Sequence, residues 1–167
     1  MKTTKSAMKK VVINSSYGGF GVSNEGLLWL INEHSDLVEK TPWSKYSSTP
    51  WGEWDGDYDR HDHPFRDGFT TNNLIEGVLV KDEIVYSLKE SFPENKSEDW
   101  DSSRDKDRVT LRQHPDLIRL VEAIREKKVA KYRFSKLKIV KIPTDVEFTI
   151  EEYDGLEHIA EAHRTWY

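Results

Sequence analysis

Val11-Val12-Ile13-Asn14-Ser15-Ser16-Tyr17-Gly18-Gly19-Phe20-Gly21-Val22-Ser23 is the stretch whose reading decides the fold of this chain. Its opening β-branched run does not alternate with polar residues, so it reads as a strand covered on both faces. Ser23 then offers a helix N-cap, and the spacing of Leu27, Leu28, Leu30 and Ile31 predicts a helix to about His34 with one buried side. Strand, glycine turn and helix start bring main-chain N–H groups and the positive end of a helix dipole together, a geometry that commonly holds a phosphate. Asn14, Ser15, Tyr17, Gly18, Gly19, Phe20, Gly21 and Ser23 are therefore the candidate ligand-binding residues. Asn14 stands at the carboxyl end of the strand, where open α/β sheets bind ligands. The segment lacks the lysine of a Walker loop, and its glycine spacing is not the dinucleotide fingerprint. A tight strand-to-helix connection, with Phe20 plugging the core and Asn14 forming a turn, accounts for the same residues.

Outward from this stretch, residues 74–80 and 84–88 read as a β-hairpin, and Pro115-Asp116 opens a helix with the apolar stripe Leu117, Leu120, Val121 and Ile124. Residues 137–142 and 146–153 read as strands, Asp154-Gly155 as a turn, and Leu156 to about His163 as a last short helix. The fold expected is α/β or α+β: a mixed β-sheet with about three helices packed on it. One domain is expected over 10–167, after a flexible N-terminus at 1–9, with a long irregular loop at 41–73 and a charged surface excursion at 89–107.

At 167 residues the chain is long enough to bury about 70% of its unfolded surface without staples. It has no cysteine, which excludes a disulfide scaffold, a thiolate zinc site, an iron–sulfur cluster and a cysteine nucleophile. The apolar run after Lys9-Lys10 is too short for a signal peptide, and nothing approaches a membrane span, so a cytoplasmic protein without a membrane partner is expected. The formal net charge of −5 argues against general electrostatic binding to nucleic acid, while leaving room for a local basic face.

The loop holds Trp51-Gly52-Glu53-Trp54-Asp55-Gly56-Asp57-Tyr58-Asp59-Arg60-His61-Asp62-His63. Its alternating aspartates suggest a calcium loop, but Arg60 and Arg66 stand where the glycine and the bidentate glutamate are needed. His61 and His63 with Asp59 or Asp62 suit a divalent metal, although a solvated acidic loop is the simpler reading, and neither a metal nor another cofactor is assigned. Trp51, Trp54 and Tyr58 are candidate protein-interaction residues, since such side chains dominate interface hot spots. Arg125, Lys127, Lys128, Lys131, Arg133, Lys136, Lys138 and Lys141 form a basic run that suits phosphates or simply a solvated face with a lysine-guarded edge strand. Glu157 and Glu161, with His158, His163 and Arg164 nearby, suit acid/base work or a helix surface closed by Trp166. No nucleophile elbow, zinc-protease helix or kinase signature is present.

Two segments resemble a family of small uncharacterised proteins encoded by phages and prophages: the stretch 11–23, and a C-terminal part that includes His114-Pro115-Asp116-Leu117, Glu151-Glu152-Tyr153-Asp154-Gly155 and His163-Arg164-Thr165-Trp166. The tryptophan-rich middle lies outside the resemblance. A phage-type protein of the host bacterial cytoplasm is implied, and such accessory proteins often counter host defence by seizing a nucleotide signal or blocking a host enzyme. The leading expectation is thus a binding protein for a phosphate-bearing, nucleotide-like small molecule at the glycine turn. The alternatives are an inhibitor that engages a host protein through Trp51, Trp54 and Tyr58, and a metal-dependent enzyme using His61 and His63.

Overall fold

The computed structural model describes residues 7–42, 69–70, 79–81 and 84–162. The class is the expected mixed α/β, and the chain forms two compact units, one of residues 1–21 and 90–167 and the other of residues 22–89.

In the first unit, β1 (Met8–Asn14) pairs antiparallel with β6 (Leu137–Pro143), with Val11 opposite Val140 and Asn14 opposite Leu137. This ribbon is covered on both faces, as its unbroken β-branched run predicts: Val11 and Val12 point in opposite directions and both are fully buried. One face carries Val11, Ile13, Val140 and Ile142 against Val109 of α2 (Trp100–Gln113) and against Phe148, Ile150 and Ile159 of a second ribbon. The other face packs on α3 (Pro115–Arg125), where Lys10 reaches Glu122 at 2.7 Å. Pro115 opens the helix as the sequence predicts, and of the four stripe residues Leu117, Leu120 and Val121 are buried and Ile124 half-buried.

The second ribbon is an antiparallel hairpin of β7 (Phe148–Tyr153) and β8 (Leu156–Glu161). This corrects the expected C-terminal helix. Asp154 and Gly155 both have positive φ, 50° and 81°, the two-residue turn whose twist matches a hairpin. Leu156, Ile159 and Ala160 carry helical spacing, but the turn directs the chain back along β7 instead. The expected surface excursion at 89–107 also differs: a short 3₁₀ turn at Pro93–Asn95 leads into the fourteen-residue helix α2. Asp99 caps that helix by accepting the Asp101 amide, and hydrogen bonding from Ser102 holds its carboxyl below the ordinary aspartate range.

In the second unit, α1 (Asn24–Asn32) follows its Ser23 cap, whose hydroxyl accepts the Gly26 amide at 3.0 Å. Four antiparallel strands run in the order β2 (Val38–Pro42), β5 (Ile84–Leu88), β4 (Leu79–Lys81) and β3 (Phe69–Thr70). The expected hairpin is present as β4 and β5, joined across Lys81 and Ile84, while residues 71–78 lie outside the described residues. Leu27, Leu30, Leu37 and Val85 are buried in this unit. Every described sheet is antiparallel, so three small antiparallel sheets replace the single mixed sheet expected.

Two helices end in the same way. The amides of Ser35 and His34 return to Leu30 and Ile31, and those of Lys128 and Lys127 return to Ala123 and Ile124. Both are Schellman closures, with His34 and Lys127 at positive φ where glycine is usual.

Candidate functional site

Three segments of the first unit converge on the glycine turn: residues 15–21, residues 131–136, and the hairpin turn around residues 153–155. Their meeting point is Asn14. Fully buried, it donates from Nδ2 to the carbonyls of Ser16 (2.8 Å) and Gly155 (2.7 Å), and Oδ1 accepts from the Lys136 amide (2.8 Å) and the Ser16 hydroxyl (3.1 Å). All of its amide capacity is directed inward, so Asn14 shapes the turn and presents nothing to a ligand.

Next to it lies a buried ion pair. Glu157 accepts the Asn14 amide at 2.7 Å through one oxygen and Arg112 Nη2 at 2.5 Å through the other. The guanidinium of Arg112 sits 3.1 Å from the centroid of the half-buried Phe20 ring, which covers this ion pair and lies outside the buried core. Burial holds the Arg112 pKa below the ordinary arginine value, against the pull of Glu157. Among the described residues, Arg112 Nε is a buried donor with no partner. Glu157 thus has a structural role in a strand, where the sequence suggested a surface helix with acid/base potential.

The turn itself is tightly seated. Gly18 donates to the Asp154 carbonyl at 3.3 Å, and a Cβ on Gly18 would stand 2.8 Å from the Phe134 carbonyl oxygen. A Cβ on Gly155 would meet the Gly19 nitrogen at 2.0 Å, which explains why glycine closes the hairpin. Ser15 bonds the Lys136 carbonyl through both its amide and its hydroxyl, and Gly21 accepts the Ser135 hydroxyl at 2.8 Å. Ser23 belongs to the second unit, where it caps α1 with its own side chain, and Glu25 adds a carboxylate to that first helical turn. The main-chain N–H group of Gly18, expected to await an anion, is therefore taken by Asp154, and that of Gly26 in the first turn of α1 is taken by Ser23.

What the convergence leaves outside is aromatic, with basic side chains on residues 131–136 and the exposed carboxylates of Glu152 and Asp154 on the hairpin turn. Tyr17, Phe134 and Tyr153 are 64%, 46% and 76% exposed. Phe134 is held edge-on by Tyr132 at 5.7 Å, and the Arg133 guanidinium lies 4.4 Å from its ring. Lys131, Arg133 and Lys136 are exposed in the same segment. Large exposed rings on three segments that meet at one turn are uncommon in a folded protein without a partner.

Tyr17 and the basic run are legible in the sequence. Phe134 and Tyr153 were not placed with the turn, because only the β1–β6 pairing and the hairpin bring them there. Of the remaining run, Lys128 pairs with Glu126 at 2.7 Å, which raises its pKa. His158 meets Glu151 across the second ribbon at 3.0 Å, on the exposed side. Trp51, Trp54, Tyr58, Asp59, His61, Asp62, His63, His163, Arg164 and Trp166 lie outside the described residues. No helix among the described residues is long and apolar enough to cross a membrane. Compared with protein-family models, curated proteins and solved structures, the chain matches none.

Proposed function

We propose that this chain is a small phage-type accessory protein that binds a nucleotide-like, phosphate-bearing ligand on the rim around residues 15–21, and acts in the host cytoplasm against a nucleotide-dependent defence. The observation that carries the reading is that three segments meeting at the turn bear the exposed rings Tyr17, Phe134 and Tyr153, and that one of these segments bears the exposed cations Lys131, Arg133 and Lys136. Rings offer faces for a base, and cations offer charge for its phosphate. The side chains of the rim replace the main-chain cradle as the recognition device, since the amides of Gly18 and Gly26 are already bonded within the protein. The phage assignment and the counter-defence role rest on the resemblance of the two sequence segments.

Thermal unfolding of the purified protein against a panel of mono-, di- and cyclic nucleotides tests the proposal. A ligand at about one hundred times its dissociation constant adds roughly 2.7 kcal/mol of stability, an increase readily measured as a raised midpoint. The expected result is a rise with at least one nucleotide class that is abolished in Tyr17→Ala/Phe134→Ala. No rise with any nucleotide, or an equal rise in the double variant, overturns it.

A further inference from the structure

Resting on the nucleotide-binding reading, we infer that the occupant of the rim is a short single-stranded oligonucleotide, several linked nucleotides with successive bases laid on separate rings. The first reason is the number and origin of the rings. Tyr17 comes from the glycine turn, Phe134 from the segment before β6, and Tyr153 from the end of β7, and each is substantially exposed. A mononucleotide has one base to offer, whereas a linked strand offers one for each ring. Stacking of successive bases on aromatic side chains is the common device of single-strand binding.

The second reason is that the positive charge does not stop at the rim. Beyond Lys131, Arg133 and Lys136, Lys138 on β6 is also exposed, while Lys141, three residues further on, stands on the opposite face of the ribbon beside Lys10. A set of four exposed cations, Lys131, Arg133, Lys136 and Lys138, matches phosphates that recur along a strand. It exceeds what one terminal phosphate requires. A duplex is disfavoured by the same geometry, since its bases stack on one another and leave no free faces for the three rings. The overall net charge of −5 confines the interaction to this face.

The experiment is a fluorescence-anisotropy competition on the full chain, using a labelled oligothymidylate of about a dozen nucleotides as probe. Competitors are thymidine monophosphate, oligothymidylates of three and six nucleotides, and a duplex of the probe's length. The expected result is a gain of at least about tenfold in affinity from the mononucleotide to the trimer or hexamer, with the duplex weaker than the single strand. Tyr17→Ala, Phe134→Ala and Tyr153→Ala are each expected to lose about tenfold on the hexamer, with circular dichroism showing the fold retained. Lys136→Ala/Lys138→Ala is expected to flatten the salt dependence. If the mononucleotide binds as tightly as the hexamer, the oligonucleotide inference fails and the nucleotide-binding reading survives. If neither binds, both fail. If the oligonucleotides bind and no ring substitution matters in a folded variant, the rim is not the site and the lysines merely guard an open strand edge.

Discussion

Asn14 and Gly155 show how single residues fix the turn. Asn14→Ala removes two donors and an acceptor that serve the buried carbonyls of Ser16 and Gly155 and the amide of Lys136. Leaving such groups unpaired costs about 1–3 kcal/mol each, so the variant is expected to lose roughly 3 kcal/mol in chemical denaturation. Gly155→Ala places a methyl on the Gly19 nitrogen and forces a positive φ, for an expected loss of about 3 kcal/mol. Gly19→Ala has the same kind of φ, 89°, but no atom within 4 Å of its Cβ, so it should lose only about 1 kcal/mol. Equal losses in the two glycine variants, measured side by side, would show that the turn is not packed as described. Arg112 and Glu157 follow the logic of buried ion pairs: Glu157→Gln leaves the guanidinium uncompensated and is expected to lose about 3–5 kcal/mol, while replacing both residues by apolar ones of similar volume loses far less. A double-mutant cycle in urea checks this.

At the scale of elements, the strands and helices that declare themselves by pattern are those the sequence makes legible. The run Val11-Val12-Ile13, the stripe Leu117, Leu120, Val121, and the alternation Phe148, Ile150 each satisfy one period and form β1, α3 and β7 as expected. Helix α2 was hidden because Trp100 to Asp107 is almost wholly polar and its anchoring residues, Val109, Leu111 and Arg112, come only in its last turns. β8 was ambiguous because Leu156, Ile159 and Ala160 fit a helix while Glu157 and Ile159 fit a strand, and the Asp154-Gly155 turn decided between them. The cap of α2 carries a pH signature. Because the Asp99 carboxyl titrates below its unfolded value, its contribution is present above the ordinary aspartate range and is lost as pH falls through the lower folded value. The stability difference between the parent and Asp99→Ala is therefore expected to shrink in acid, read from thermal melts at successive pH values. At the C-terminal end of α3, Lys127→Gly relieves a left-handed lysine in a Schellman closure and should raise the melting midpoint by about 3 °C.

For the molecule as a whole, topology assembles what sequence distance separates. Tyr17, Phe134 and Tyr153 belong to three separate segments, and only the antiparallel β1–β6 pairing and the hairpin of β7 and β8 set them around one turn. That is why Tyr17 could be singled out from its glycine neighbours while its two companions could not. The chain carries a net charge of −5 and the rim itself holds Glu152 and Asp154, so attraction of an anionic ligand rests on the cations of residues 131–138 and is expected to weaken steeply with salt. The central claim is that this rim receives a nucleotide. Its most direct measurement is a nuclear magnetic resonance titration of the isotopically labelled protein with the tightest nucleotide of the panel, following backbone amides. The account predicts saturable shifts concentrated in residues 15–21, 131–136 and 153–155; shifts that avoid these three segments, or a spectrum that does not move at all, would contradict it.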